Sequence, residues 1–127
     1  MKMHHLGLAV ENIESALLDL STVTDIDFVS DTVYDSEQKA NLCMVTVKNG
    51  TSIELIQGEM VSKLVKKGQH FYHICWETDD MEQEIQNITE KGGMVISAPK
   101  PAILFNNRKV AFVMTDLGLF EIVESEK

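Results

Sequence analysis

Long apolar runs are what this sequence most plainly lacks: no uncharged stretch approaches the ~20 residues that cross a bilayer as a helix. The apolar stretch from Leu6 to Val10 stops at Glu11, too short for the core of a secretory signal. Cysteine is scarce as well. Cys43 and Cys75 stand far apart and form no CxxC or zinc-ribbon spacing, so both read as small buried hydrophobes in a reducing, cytoplasmic setting. Basic residues are few, eleven against twenty acidic ones, for a net charge of −9. A field of that sign repels phosphate backbones and anionic lipid, which argues against nucleic acid and membrane as partners. Hydrophobic residues at 44% and charged residues at 24% are ordinary for a globular chain, so disorder and coiled coil are poor readings. At 127 residues there is room for one compact domain or two very small ones.

What is present is a repeat. His5-Leu6-Gly7-Leu8-Ala9-Val10-Glu11-Asn12-Ile13-Glu14 can be laid over His73-Ile74-Cys75-Trp76-Glu77-Thr78-Asp79-Asp80-Met81-Glu82 at an offset of 68. Near the end of each half, Ile53-Glu54-Leu55-Ile56 matches Phe120-Glu121-Ile122-Val123 at an offset of 67. The chain therefore reads as two modules, 1–66 and 67–127, joined around Lys66-Lys67-Gly68-Gln69. Each module carries the order β-α-β-β-β. In the first, alternation predicts a strand over 3–10, and Asn12 caps a helix striped by Ile13, Ala16, Leu17 and Leu20. Strands over 27–34, 41–48 and 51–57 follow, the last two joined by the hairpin signal Asn49-Gly50. In the second, a strand over 70–77 leads to a helix striped by Met81, Ile85 and Ile88, with Asp79 and Glu82 as a capping box and Gly92-Gly93 as its end. Strands near 94–97, 109–115 and 118–124 complete it, and a short amphipathic turn through Val61, Leu64 and Val65 links the halves.

The repeat sets a histidine early in the first strand of each module and a glutamate inside the last. Alternation places His5 on one face with Gly7 and Ala9, small residues that leave space beside it. Glu54 and Glu121 each stand between two apolar residues that point the other way. An ionised carboxylate on a half-buried strand is costly unless something positive meets it, and no Lys or Arg recurs near these positions. Two imidazoles and two carboxylates make a reasonable donor set for a divalent transition metal with open positions. His4 and His70 have no matched counterpart and read as surface or supporting residues.

Together, His-Leu-Gly-Leu-Ala-Val before a capped helix, Ile-Glu-Leu-Ile, Tyr-His-Ile-Cys-Trp-Glu and Phe-Glu-Ile-Val-Glu resemble the vicinal oxygen chelate, or glyoxalase-like, superfamily over essentially the whole chain. The resemblance implies an α+β fold, one domain over 1–127, in which two βαβββ modules form a curved eight-stranded mixed sheet around a metal-containing cleft. It implies His5, Glu54, His73 and Glu121 as ligands of a divalent ion (Co, Ni, Mn or Zn). Within the superfamily the chain looks most like methylmalonyl-CoA epimerase-like proteins, through Glu37-Gln38 and the stretch Tyr72 to Asp80. That likeness implies a metal-dependent isomerase of an acyl thioester, with Glu37 and Glu121 moving the α-proton, and a homodimer. Glyoxalase-type isomerisation of a glutathione adduct and metal-free small-molecule binding are the alternatives. The chain departs from the epimerase pattern at Leu17 to Val23, at Lys39-Ala40 and in the loop Phe105-Asn106-Asn107-Arg108-Lys109. Lys63, Lys66, Lys67, Arg108 and Lys109 offer either a basic rim for a phosphate-bearing ligand or a solvated surface.

Overall fold

The computed structural model describes residues 1–126. Among them the chain forms β1 (Lys2–Ala9), α1 (Ile13–Val23), β2 (Ile26–Val29), β3 (Val33–Asp35), β4 (Ala40–Val47), β5 (Ser52–Gly58), α2 (Glu59–Lys66), β6 (Phe71–Thr78), α3 (Met81–Glu90), β7 (Met94–Pro101), β8 (Lys109–Thr115) and β9 (Gly118–Glu124). It divides into two compact units. The first is His5–Tyr72; the second is Met1–His4 with the chain from His73 onward. Among the described residues no helix is long and apolar enough to cross a membrane.

Each unit has the same ladder. In the first, the strand order is β2-β4-β5-β1; in the second it is β6-β9-β8-β7. The first and last strands of each repeat run parallel, with Gly7 opposite Glu54 and Cys75 opposite Glu121. The remaining neighbours are antiparallel. A helix covers one face of each ladder. Ile13, Ala16, Leu17 and Leu20 of α1 pack on Leu8, Cys43, Val45 and Leu55. Met81, Ile85 and Ile88 of α3 pack on Trp76, Ala111 and Ile122. The alternation expected for β1 holds: His5, Gly7 and Ala9 are buried, while Leu6 and Leu8 are half-buried and Leu8 packs on the α1 side.

Four local readings need correction. The strand expected over 27–34 is two strands, and β3 brings the total among the described residues to nine. Ser30 causes the break: its hydroxyl accepts the Met44 N–H at 2.8 Å, and its own N–H donates to Met44 O, so a side chain replaces a rung of the ladder. The cap of α3 is Asp80, whose Oδ1 accepts the Gln83 N–H at 3.1 Å, and not Asp79. The strand runs on to Thr78, whose hydroxyl accepts the Asp80 N–H and turns the chain one residue later; Asp79 instead accepts the Ser125 hydroxyl at 2.6 Å. The β4–β5 hairpin spans Lys48 to Thr51 rather than two residues, since Gly50 takes a positive φ of 91° and Asn49 does not. The linking turn is a full two-turn helix, α2.

Gly58, at the end of β5, lies opposite Ala40 so closely that a Cβ there would stand 2.7 Å from Lys39 O and 2.9 Å from the Ala40 Cα. This approach clamps the turn before β4 against the strand that carries Glu54. Gly58→Ala forces backbone apart, so chemical denaturation should show a loss of about 1–3 kcal/mol; an unchanged unfolding midpoint would contradict the clamp.

Candidate functional site: two buried histidine–glutamate pairs

The parallel pairing of first and last strands decides where the chemistry lies. In the first unit Gly7 sits across from Glu54. His5, two residues earlier on the same face, brings Nε2 to 3.2 Å from Glu54 Oε1. In the second unit Cys75 takes the place of Gly7, and His73 Nε2 stands 3.1 Å from Glu121 Oε1. The side chains are sealed: His5 and His73 expose none of their surface, Glu54 2% and Glu121 1%. Each unit thus holds one imidazole–carboxylate pair away from water, on the face opposite its helix.

A buried carboxylate demands a positive partner. Protonated imidazole would serve, and so would a cation held between the two groups. Two donors bound side by side to one ion, each at roughly 2.0–2.2 Å, stand about 3.0–3.4 Å apart. Both observed separations fall in that window. Imidazole nitrogen with carboxylate oxygen also suits Zn, Co, Ni or Mn better than a hard ion such as Ca. The residues present fit a divalent transition metal.

Two neighbours escaped the sequence reading. Met44 lies opposite Glu54 in the β4–β5 ladder, and Phe112 lies opposite Glu121 in the β8–β9 ladder. The Phe112 ring meets the His73 ring edge-on, with centroids 5.7 Å apart and planes at 87°. The signal was available, because the offset of 68 between His5 and His73 also separates Met44 from Phe112.

The other expected residues are placed as follows. Glu37 is exposed on the turn between β3 and β4, its N–H donating to Asp35 Oδ1 at 2.9 Å. Buried Asp35 also accepts both the backbone and side-chain N–H groups of Gln38, which fixes that turn. Since Ala40 pairs with Gly58 and Met44 with Glu54, the turn begins about 13 Å along the ladder from Glu54, outside the pair. His70 Nδ1 bonds Ala9 O at 2.7 Å, and the His4 ring meets Phe105 edge-on; neither belongs to a pair. Arg108 is no rim residue. Its Nη1 donates to Glu124 O at 2.9 Å and reaches Glu77 at 3.4 Å, while its guanidinium lies over Phe105. Lys63, Lys66, Lys67 and Lys109 are exposed. Cys43 and Cys75 are buried thiols.

The Glyoxalase/Bleomycin resistance protein/Dioxygenase superfamily model matches residues 4–112, which take in His5, Glu37, Glu54 and His73. The chain belongs to this superfamily. Among solved structures it resembles methylmalonyl-CoA epimerase from Mycobacterium tuberculosis, at 15% identity, TM-score 0.83, 99% of this chain and 89% of that one. It also resembles a hypothetical protein from Bacillus halodurans C-125, at 22% identity, TM-score 0.76 and 99% against 95% coverage. A Mn(II)-bound glyoxalase from Novosphingobium aromaticivorans aligns at 12% identity and TM-score 0.60, over 97% of this chain and 38% of that one. At such identities the likeness is one of fold. No curated protein matches the sequence.

Proposed function

We propose that the protein is a metal-dependent isomerase that moves an α-proton of an acyl thioester such as methylmalonyl-CoA. His5 and Glu54 from one half, with His73 and Glu121 from the other, would hold one divalent ion (Co, Ni, Mn or Zn). The observation that carries this reading is the repetition, in both units, of a sealed imidazole–carboxylate pair with a separation of 3.1–3.2 Å. When bound, the ion supplies Lewis acidity to two adjacent substrate oxygens and eases loss of the proton beside them.

The protein's own groups would do the rest. Glu121 takes the α-proton from one face of the carbon, and protonated Glu37 returns a proton to the other; the reverse reaction exchanges their roles. Inversion needs two such groups. The exposed turn that carries Glu37, braced by Asp35 and pressed on Gly58, allows that carboxylate to meet a substrate arriving from solvent. Met44 and Phe112 stand opposite the two glutamates in their ladders.

Glyoxalase-type isomerisation of a glutathione adduct is the second reading, favoured by the donor charges. Two carboxylates already neutralise a dication, so neutral vicinal oxygens suit the ion better than a substrate carboxylate does. The metal-loaded protein should exchange the α-proton of an acyl-CoA thioester in deuterated water. Conversion of a hemithioacetal of glutathione without thioester exchange would select the second reading, and neither reaction would leave a binding protein.

A homodimer is part of the same proposal. Strands β2 and β7 end their ladders, and they expose Phe28 at 60%, Met94 at 64% and Ile96 at 55%. Apolar edge strands call for cover. Light scattering should give twice the chain mass, and a monomer at high concentration would contradict it.

A further inference from the structure

We propose that Phe112 is the positioning residue of His73, fixing the plane of its imidazole toward the metal. This rests on the metal reading above. The repeat preserves the donors and breaks at their neighbour: at matched places opposite the two glutamates stand an unbranched methionine and a rigid aromatic ring. Met44 has three rotatable bonds and adapts to whatever lies beside it. Phe112 is 9% exposed and cannot do so.

The physical need is specific. The terminal torsion of histidine is broad, so the imidazole plane is not set by its own rotamer. The 3.1 Å contact to Glu121 Oε1 sets the direction of Nε2. The Phe112 ring, at 87° to the imidazole and 5.7 Å away, restrains the plane of the imidazole from another strand. Held in this way, His73 keeps its aim even when Glu121 turns to take a proton. Groups that orient a metal-binding histidine commonly govern affinity by 10–100-fold.

Phe112→Met copies the first half into the second and tests this directly. Mn²⁺ binding by calorimetry should weaken about tenfold, and in the metal-free protein the His73 imidazole resonances should shift or broaden while those of His5 hold. Phe112→Tyr, which keeps the ring, should retain the wild-type Kd and resonances. Wild-type affinity with unchanged His73 resonances in Phe112→Met would overturn the inference. So would a tenfold loss in a folded Phe112→Tyr, since the ring would then not be what matters. If the wild-type protein binds no Mn²⁺, Ni²⁺ or Co²⁺, it is the metal reading that fails, and the imidazole resonances still decide whether Phe112 orients His73.

Discussion

His73→Ala should lower the affinity for a divalent metal by about a thousandfold, and His5→Ala by a similar factor, while circular dichroism stays that of the folded protein. The magnitude follows from the loss of one of four donors, a larger change than loss of a supporting group, which alone costs 10–100-fold. The fold should survive because each unit's core lies on the other side of its ladder, between strands and helix, built from residues such as Leu55, Cys43 and Ile13 in one unit and Ile122, Ala111 and Met81 in the other. Calorimetric titration with Mn²⁺ or Ni²⁺ checks the loss. A wild-type Kd in either variant would remove that histidine from the donor set.

Glu37→Gln should reduce kcat for epimerisation by about 100-fold or more, with metal content unchanged. The substitution keeps the size of the side chain, and the turn keeps the hydrogen bonds from the Glu37 and Gln38 N–H groups to Asp35. It removes the ability to hold and release a proton. With Glu121 still able to act on one face, exchange of the α-proton with solvent deuterium should outlast inversion. That separation distinguishes a lost second base from a damaged site. Epimerisation at the wild-type rate would return Glu37 to the solvated turn in which it stands.

The architecture was legible because each level of the sequence agreed with the next. A period of two in β1 put His5, Gly7 and Ala9 on one face, and a period near 3.6 in α1 and α3 named the residues that cover the other. The offset of 67–68 then matched each histidine to its counterpart and each glutamate to its own. The strand break at Ser30 and the shifted cap of α3 share a cause. Ser30, Thr78 and Asp79 form hydrogen bonds with groups that lie 14, 2 and 46 residues away, and such side-chain bonds move a strand end or a cap without altering any hydrophobic pattern. Arg108 reads as a surface cation until Glu77, 31 residues away, and Glu124 draw it inward. Phe112 reads as one more core aromatic, and only its register with Glu121 shows what it touches.

Metal stoichiometry tests the central claim most directly. Protein purified without chelators, equilibrated with Mn²⁺ or Ni²⁺ and freed of excess, should carry one ion per chain by elemental analysis, and the His5→Ala/His73→Ala double variant should carry almost none. Two ions per chain would mean that each pair binds its own metal, and full occupancy in the double variant would show that the two pairs are not the metal site.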